Sequence, residues 1–441
     1  YVLAAAGASV GLGNIWRFPY LAAKYGGGIF LIIYIVLALT FGYTMIVAET
    51  AIGRMTRKSP VGAFKSFGKK KWLSFGGWIN AVIPVLIVPY YSVIGGWVIK
   101  YLVEYFRGNA KLLAEDGYFT DFISNGVSTE LCFVAFCAFT LIIIFAGVQN
   151  GIERVSKIMM PILIVLSVII AVYSVTRPGA LAGVKYFLVP NVKNFSWMTV
   201  VSAMGQMFYS LSIAMGILIT FGSYMKKDTA IEDSTRNVEI FDTGIAIMAG
   251  LMIIPAVFAF SGGDPDTLQA GPSLMFITIP KVFQNMGFGT VIGIVFFLLV
   301  LFAAVTSSIA LTESAVSTFE DELGWGRKKA TVLVGVIMLA LGSLSSLGYG
   351  PLAGIKIIGM QFLDLFDFLT NSVMMPIAAL LTSLFVSRVV GIDKIEAEII
   401  HGESAFRRKK VFVVMIKYLC PVFAIIILLS SVANALGWIK M

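Results

Sequence analysis

Long apolar segments separated by short polar stretches run through this whole sequence. We count eleven of them, most near the ~20 residues that an α-helix needs to cross ~30 Å of hydrocarbon. The segments are residues 1–23, 29–52, 74–106, 131–147, 155–176, 199–224, 240–260, 286–319, 330–347, 358–386 and 411–436. This pattern predicts an all-α polytopic membrane protein, because helices satisfy their own backbone hydrogen bonds in lipid.

The first segment contains a break in its helical pattern. Gly7, Gly11 and Gly13 lie close together, and each glycine costs roughly 1 kcal/mol relative to alanine inside a helix. Backbone groups freed by unwinding inside a bilayer need a protein, ion or ligand partner. Asn14 and Arg17 add polar side chains just beyond these glycines. We therefore predict that this break forms a binding site at membrane depth.

The sixth segment carries a second interruption, between Gly205 and Gly216, which is rich in polar residues. Breaks at matching positions in segments 1 and 6 indicate a 5+5 inverted repeat with its site between the halves. We predict one integral membrane domain, with a first five-helix repeat at 1–176, a second at 199–390 and an additional transmembrane helix at 408–441. The alternative is that small residues only permit close helix packing, which fits either break alone.

The positive charges predict an orientation in the membrane. The formal net charge is +9, and Lys and Arg cluster at 54–71, 226–227, 327–329 and 407–410. These clusters follow even-numbered segments, so the positive-inside rule places them in the cytoplasm. We therefore expect a multi-pass protein of the plasma (inner) membrane, with its N-terminus cytoplasmic and its C-terminus extracytoplasmic. Because these cations set topology, no nucleic-acid partner is expected.

Several kinds of chemistry are disfavoured by the sequence. The three cysteines form no framework, and His401 is the only histidine. There is no Walker A motif and no pairing of a nucleophile with a base. We therefore expect neither an enzyme nor an ATP-driven pump, and no organic cofactor.

A group of strings in this sequence resembles the neurotransmitter:sodium symporter family, which has the fold named for the bacterial leucine transporter. The strings are GLGNIWRFPY at 11–20, GGG at 26–28, YY at 90–91, GIERVSKIMMP at 151–161, GQMFYSLS at 205–212, TSSIAL at 306–311 and FEDEL at 319–323. The resemblance covers nearly the whole chain. Eleven helices in place of twelve is a departure known among bacterial members.

The resemblance implies two sodium sites built from oxygen ligands. The first would use the Ser9 carbonyl, Asn14, Ser210 and Asp242; the second would use the carbonyls of Gly7, Val10 and Ala303 with the hydroxyls of Thr306 and Ser307. Spacing leaves Phe241 as the alternative to Asp242, but phenylalanine offers no oxygen. An aspartate in a membrane segment costs about 2.5–3.5 kcal/mol and so indicates function. Asp242 could instead lie at a hydrated helix end, and the hydroxyls could bond back to their own helix.

Chloride-dependent relatives place an anion near the first sodium site. The residues that match their chloride site are Tyr34, Gln206 and Ser210, but the serine that they use on segment 7 is Ala246 here. Our hypothesis is that the Asp242 carboxylate supplies the missing negative charge. Transport would then be chloride-independent.

The resemblance also implies where a substrate binds. Monoamine transporters have an aspartate at the position of Gly11, and glycine there favours a substrate that brings its own carboxylate. The matching site residues are Ala8, Ser9, Gly11, Ile87, Tyr91, Tyr209, Ser210, Ser212, Ala214, Met215, Ser307 and Leu311. Because these residues are uncharged and mostly apolar, we predict a neutral, hydrophobic L-amino acid, including large aliphatic or aromatic ones. Tyr209 replaces the usual phenylalanine. Plain helix packing is the alternative for any one of them.

Two gates and a flexible helix follow from the same resemblance. Arg17 would pair with an acid of segment 10, either Asp367 or Asp364, to form the outer gate. Asp321 resembles the acid of an inner latch, whose basic partner in relatives lies before the first residue of this sequence; the alternative is a hydrated acid. A helix 5 break is indicated by Gly151 and Pro161, which would either unwind to admit water or form a fixed kink.

Together these expectations describe a sodium-coupled secondary symporter that works by alternating access. Its partners would be a neutral amino acid and the lipid bilayer, and the sequence predicts no oligomeric state. The alternatives are an amino-acid-binding membrane sensor, an ion channel, and a proton-coupled carrier that uses Asp242.

Overall fold

Helices make up almost all of the structure. The computed structural model describes residues 2–264, 268 and 271–440. In chain order the membrane helices are α1a Val2–Ser9, α1b Phe18–Lys24, α2 Gly28–Thr56, α3 Lys71–Phe106, α4 Gly126–Phe145, α5 Val148–Val175, α6a Trp197–Ser210, α6b Ile217–Tyr224, α7 Ile231–Ser261, α8 Gly289–Leu323, α9 Arg327–Leu347, α10 Phe362–Val390 and α11 Lys409–Ala435. Shorter helices at Pro60–Lys65, Tyr118–Ser124, Leu181–Leu188, Ile279–Gln284 and Ile392–Ile400 connect them.

The predicted fold class is confirmed. Nine unbroken helices of the described chain are long and apolar enough to cross a membrane, and the predicted broken segments appear as α1a–α1b and α6a–α6b. The protein is therefore an all-α polytopic membrane protein. The inverted repeat and its boundaries at 176, 199, 390 and 408 stay predictions. Tyr1 and Met441, at the outer ends of the predicted ranges, lie outside the described residues.

Some helices begin earlier than the apolar pattern predicts. α7 begins at Ile231 and not at 240, although its first turns carry acidic residues. Glu232 accepts hydrogen bonds from the backbone N–H groups of Arg407 at 2.7 Å and Arg408 at 3.1 Å. Glu239 forms an ion pair with Arg408. These partners let the helix extend beyond its apolar stretch. α4 and α5 likewise begin at 126 and 148 and not at 131 and 155.

The broken helices lie at the centre of the bundle. α1a packs against α7 and α8, while α6b packs against α2. α3 and α8 are the most enclosed of the long helices, with 78% and 72% of their apolar windows buried, whereas α11 has only 33%. The apolar side chains that α4, α5 and α11 expose are therefore the surface that meets lipid.

The break in α6 is held by a buried carboxylate on α2. Between α6a and α6b the backbone adopts left-handed conformations at Ser212, Ala214 and Gly216, which cost about 1–3 kcal/mol for a residue other than glycine. The Ala214 N–H donates to Oε1 of Glu49 at 2.8 Å, and both residues are fully buried. Glu49 therefore stabilises an unwound turn in which Ser212 and Ala214 adopt a backbone conformation that these residue types do not favour.

The break in α1 exposes backbone groups that side chains satisfy. The Gly11 N–H donates to Oδ1 of Asn14 at 3.2 Å, and the Leu12 N–H donates to the hydroxyl of Tyr91 at 3.2 Å. The Gly13 carbonyl accepts from Nε2 of Gln206 at 3.1 Å. Because the last two partners lie on α3 and α6a, the unwound stretch is fixed between the two halves of the molecule.

Candidate functional site

A small cavity lies between the two broken helices. Its walls come from α1, α3, α6 and α8, and the residues that line it are Ala8, Ser9, Gly11, Leu12, Gly13, Asn14, Ile87, Tyr91, Tyr209, Ser210, Ser212, Met215, Ile217, Ser307 and Leu311. None of these described residues carries a charged side chain. All the residues predicted for the substrate site line this cavity except Ala214.

Ala214 lies behind the cavity wall. It is fully buried, and its N–H points to Glu49 on α2. The left-handed turn from Ser212 to Ala214 directs its neighbours Ser212 and Met215 toward the cavity but not Ala214 itself. The prediction of a lining role for Ala214 is therefore corrected to a role in the turn.

Close packing explains why residue 11 is glycine. A Cβ added at Gly11 would lie 2.7 Å from Oγ of Ser307 and 3.1 Å from the hydroxyl of Tyr91. Any side chain here would displace both groups and fill the cavity. The space that Gly11 leaves lies next to polar groups of α3 and α8.

The four residues predicted for the first sodium site come together around a buried carboxylate. Oδ1 of Asp242 accepts from Nδ2 of Asn14 at 2.9 Å and from Oγ of Ser210 at 2.5 Å. Oδ2 accepts from the hydroxyl of Tyr34 at 2.7 Å. Ser9, at the end of α1a, lines the same cavity as Asn14 and Ser210. Asp242, and not Phe241, is thus the residue of α7 that meets α1 and α6.

The surroundings of Asp242 include the other residues matched to an anion site. Gln206 is fully buried, and its Oε1 has no hydrogen-bond partner among the described residues. Ala246 lies one turn further along α7 and is also fully buried. Tyr34 and Ser210 both donate to the Asp242 carboxylate, so its negative charge lies where their hydroxyls point.

The second predicted sodium site is a convergence of carbonyl groups on one hydroxyl. Oγ of Ser307 lies 3.3 Å from the carbonyls of Gly7 and Ala8 and 3.2 Å from that of Val10. One hydroxyl hydrogen can serve only one of these acceptors at a time. The Ala8 carbonyl also accepts from Oγ of Ser212 at 3.0 Å. Oxygens gathered in this way are the ligands that a hard cation prefers.

Thr306 takes part in this arrangement differently. Its hydroxyl bonds back to its own helix, to the Phe302 carbonyl at 3.0 Å and the Ala303 carbonyl at 3.2 Å. The Thr306 hydroxyl thus bonds back to its own helix, which was the alternative interpretation for both hydroxyls. The Ser307 hydroxyl instead contacts carbonyls of α1. A Cβ added at Gly7 would lie 3.2 Å from Cβ of Thr306, so the two helices still meet at this point.

A larger vestibule of about 1650 Å³ lies on the predicted outer side of the cavity. Its walls include Arg17, Tyr90, Tyr209, Asp364 and Asp367. The Arg17 guanidinium lies 5.4 Å from the centre of the Tyr209 ring, but it makes no ion pair within 4.0 Å of Asp367. The predicted gate residues therefore line the same vestibule, but Arg17 and Asp367 are not in contact as a closed gate would require.

The two candidate acids of this gate have different partners. Oδ1 of Asp367 accepts from the hydroxyl of Tyr90 at 3.1 Å and from Nδ2 of Asn371 at 2.5 Å. Asp364 is exposed and lies 3.5 Å from the hydroxyl of Tyr349. Asp367 is thus the better ordered of the two and faces Arg17 across the vestibule.

On the predicted inner side, two polar contacts join the end of α8 to neighbouring parts of the chain. Oδ2 of Asp321 accepts from the backbone N–H of Ser59 at 2.6 Å. Arg327 forms an ion pair with the fully buried Glu313 at 2.6 Å. Asp321 is exposed, and its one hydrogen bond ties the end of α8 to the chain that follows α2. Its role in an inner latch stays a prediction.

Sequence comparison identifies the family. The model described as "Sodium:neurotransmitter symporter family" matches residues 1–114 and 119–438. The chain belongs to the sodium:neurotransmitter symporter family. It is therefore a sodium-dependent symporter in a family and fold whose members are transporters and not, in general, enzymes.

Relatives in this family match the chain over most of its length. It is 34% identical over 436 residues to the uncharacterized sodium-dependent transporter YhdH of Bacillus subtilis, covering 98% of this chain and 96% of the relative. It is 26% identical over 456 residues to the human sodium- and chloride-dependent GABA transporter 2, covering 89% and 72% of the two chains. A crystal structure of MhsT in complex with L-phenylalanine aligns with a TM-score of 0.87 and 35% identity, covering 98% of this chain and 97% of MhsT.

Within this family fold, α5 is the element for which the sequence left two interpretations. In this structure α5 is helical throughout: Gly151 lies in a π-helical turn at Val148–Glu153, and Pro161 lies within Arg154–Val175. A Cβ at Gly151 would lie 2.1 Å from the Ile143 carbonyl, so close contact with α4 requires glycine. Unwinding of α5 stays a prediction.

Sequence reasoning missed three residues that line the symporter's cavity, namely Leu12, Gly13 and Ile217. Ile217 opens α6b and lines the cavity next to Met215. The signal available was Gly216, because a left-handed glycine at a helix start directs the following residue back toward the preceding turn.

Proposed function

We propose that this protein imports neutral, hydrophobic L-amino acids together with sodium through the cavity between α1 and α6. The observation that carries this proposal is the lining of the cavity, which combines apolar side chains with backbone and hydroxyl groups and has no charged side chain among its described residues. A charged substrate side chain would lose its hydration there without an opposite charge. The MhsT structure with L-phenylalanine supports a substrate of this class.

The unwound turns supply groups for the two ends of a zwitterion. The Tyr91 hydroxyl accepts from the Leu12 N–H, so its own hydrogen remains available to a substrate carboxylate. The substrate amine would meet the carbonyls of Ala8 and Tyr209 and the hydroxyl of Ser212, which now donates to Ala8 at 3.0 Å. The side chain would then lie among Ile87, Met215, Ile217 and Leu311. Met215 adapts readily to different shapes.

Sodium would bind at two places next to this substrate. Asp242, Asn14 and Ser210 offer an anionic oxygen set, and the carbonyls that converge on Ser307 offer a neutral one. Both sets include groups from the break in α1. Sodium would stabilise the unwound form that the substrate also needs, so each would favour binding of the other.

The position of Asp242 supports transport without chloride. Its carboxylate already accepts hydrogen bonds from Tyr34 and Ser210, the residues matched to the chloride site of relatives. A second anion there would face a negative charge. We expect uptake to be unchanged when gluconate replaces chloride. Loss of uptake in gluconate would contradict this part of the proposal.

The basic loops support the proposed orientation. The residues at 54–71, 226–227, 327–329 and 407–410 lie where α2 connects to α3, α6b to α7, α8 to α9 and α10 to α11, in the loops or in the adjoining helix turns. The positive-inside rule would place that side in the cytoplasm of a cell with this protein in its plasma membrane. The vestibule would then open to the outside.

Uptake into proteoliposomes tests the proposed function. Purified protein is given radiolabelled L-phenylalanine or L-leucine with an inward sodium gradient, with choline as the sodium-free control. We expect saturable uptake and counterflow that require sodium. A sensor would show binding without counterflow, a channel would show flux without saturation, and uptake driven by a pH gradient alone would support a proton-coupled carrier.

A pair of adjacent serines on α8 provides matched variants. Ser307→Ala removes the hydroxyl that contacts α1, whereas the Ser308 hydroxyl contacts Thr140 of α4 at 3.2 Å. We expect Ser307→Ala to weaken sodium-dependent binding and Ser308→Ala to leave it near the wild-type value. Equal effects of the two variants would point to a general loss of packing.

A further inference from the structure

Tyr209 separates the small cavity from the vestibule. It is the tyrosine of α6a that lines both spaces. Its ring packs closely against the break in α1, because a Cβ added at Gly13 would lie only 2.3 Å from Cε1 of the ring. The ring therefore reaches this position only because residue 13 has no side chain. Anything that binds in the cavity lies beneath this ring.

The Tyr209 hydroxyl has no hydrogen-bond partner among the described residues, although its ring is surrounded by gate residues. Arg17 lies over the ring at 5.4 Å, and Arg17 and Asp367 line the same vestibule as Tyr209. This hydroxyl is what distinguishes the chain from the phenylalanine usual at this position in the family it resembles. Packing alone would need only the ring.

Asp367 has an oxygen available for this hydroxyl. Tyr90 and Asn371 both donate to Oδ1, and Oδ2 receives no hydrogen bond from the described residues. Tyr90 lies on α3 and Asn371 lies on α10, so donors from two helices fix the position of the carboxylate. Oδ2 is thus an ordered acceptor in the same vestibule as Tyr209.

We propose that the Tyr209 hydroxyl donates to Oδ2 of Asp367 when the outer gate closes over bound substrate. Tyr209 is then a substrate-contacting residue and also a direct link between the cavity and the gate acid. Arg17 would stabilise the closed arrangement from above the ring. This inference rests on the proposed function, because it requires a substrate that enters from the vestibule.

The expected effect is on how fast substrate leaves to the outside. An O–H···O⁻ hydrogen bond is among the stronger kinds in proteins, and water in the vestibule reduces its net value. Removing the hydroxyl should therefore speed outward release by about tenfold. Sodium binding in the absence of substrate should not change, since Tyr209 belongs to neither of the proposed sodium sites.

A double-mutant cycle on the full-length protein tests this link. Radiolabelled L-phenylalanine is bound in sodium, and its release is timed after dilution into excess unlabelled amino acid. The proteins are wild type, Tyr209→Phe, Asp367→Asn and the double variant, with Tyr20→Phe as a control. The Tyr20 hydroxyl accepts from Lys24 on its own helix and not from a gate residue.

We expect Tyr209→Phe and Asp367→Asn each to speed release, and the double variant to release no faster than Asp367→Asn alone. Additive effects, or unchanged release from Tyr209→Phe, would overturn the link while leaving the proposed function intact. Absence of sodium-dependent phenylalanine binding by the wild type would overturn the function in its present form, and this inference with it.

Discussion

The side-chain amide of Asn14 donates to Oδ1 of Asp242 at 2.9 Å and so joins the break in α1 directly to α7. These residues are 228 positions apart in the chain, and both are buried. The Asp242 carboxylate thus meets the amide nitrogen of a residue that lines the cavity, while the amide oxygen of Asn14 accepts from the unwound backbone at Gly11. The pair offers a physical basis for coupling between an ion and the conformation of α1.

Neutralising Asp242 should weaken sodium binding. Asp242→Asn keeps the size of the side chain but removes the charge, and we expect the sodium concentration for half-maximal amino-acid binding to rise at least about tenfold. A sodium titration of L-phenylalanine binding measures this. Asp121→Asn, at an exposed carboxyl on Tyr118–Ser124, is the control. An unchanged sodium requirement in Asp242→Asn would remove Asp242 from the ion site.

Adding a single methyl group at residue 11 should abolish substrate binding without unfolding the protein. Gly11→Ala places its Cβ 2.7 Å from Oγ of Ser307 and close to the Tyr91 hydroxyl. We expect amino-acid affinity to fall by more than about tenfold, because overpacking commonly costs 1–3 kcal/mol. Equilibrium binding measures the affinity, and thermal unfolding in detergent measures the stability.

The matched control for that experiment is Gly244→Ala on α7. Gly244 is exposed, and an added Cβ meets nothing within 4 Å. Alanine favours helix by roughly 1 kcal/mol over glycine, so this variant should be at least as stable as wild type and bind normally. Normal binding by Gly11→Ala would show that the cavity is not the substrate site.

Removing the acceptor for the α6 turn should destabilise the site. Glu49→Ala leaves the buried Ala214 N–H without its 2.8 Å partner, which costs about 1–3 kcal/mol. Glu49→Gln keeps an oxygen acceptor and should retain most of the stability and binding. Melting temperatures of the two variants, measured in the same detergent, test this. An equal loss of stability in both variants would show that the stability depends on the charge of Glu49 and not on its hydrogen-bond acceptor.

How far the sequence specifies the structure differs between elements. The apolar runs and the glycines around Gly11 were sufficient to predict the helices and both breaks, because lipid leaves few alternatives for an apolar segment. The start of α7 was predicted nine residues late, at 240 and not at Ile231. The acidic residues there are stabilised by Arg407 and Arg408, from a loop that is distant in sequence.

In the candidate site, too, the sequence specifies the positions of some residues better than those of others. Residues that lie on regular helix, such as Tyr91 and Ser307, were placed at the cavity by their resemblance to a family pattern. The same resemblance placed Ala214 there too, but Ala214 does not line the cavity. The direction of a residue in a left-handed turn depends on backbone torsions that no periodicity reveals. Likewise, the sequence names Arg17 and Asp367 as gate residues but does not specify the conformation in which they meet.

Breaking the buried ion pair at the C-terminal end of α2 should destabilise the protein strongly. Nε of Arg54 lies 2.7 Å from Oε1 of Glu398, and the two side chains are only 0% and 4% exposed. Glu398→Ala would leave the Arg54 charge uncompensated, which costs about 3–5 kcal/mol. Glu322→Ala should cost at most about 1 kcal/mol, since its partner Lys65 is 43% exposed. Thermal unfolding compares the stability of these variants. The double variant Arg54→Met with Glu398→Leu should recover much of the lost stability, because no unpaired charge remains at these two positions. If Glu398→Ala proved no worse than Glu322→Ala, this pair would not hold the inner side of the bundle together.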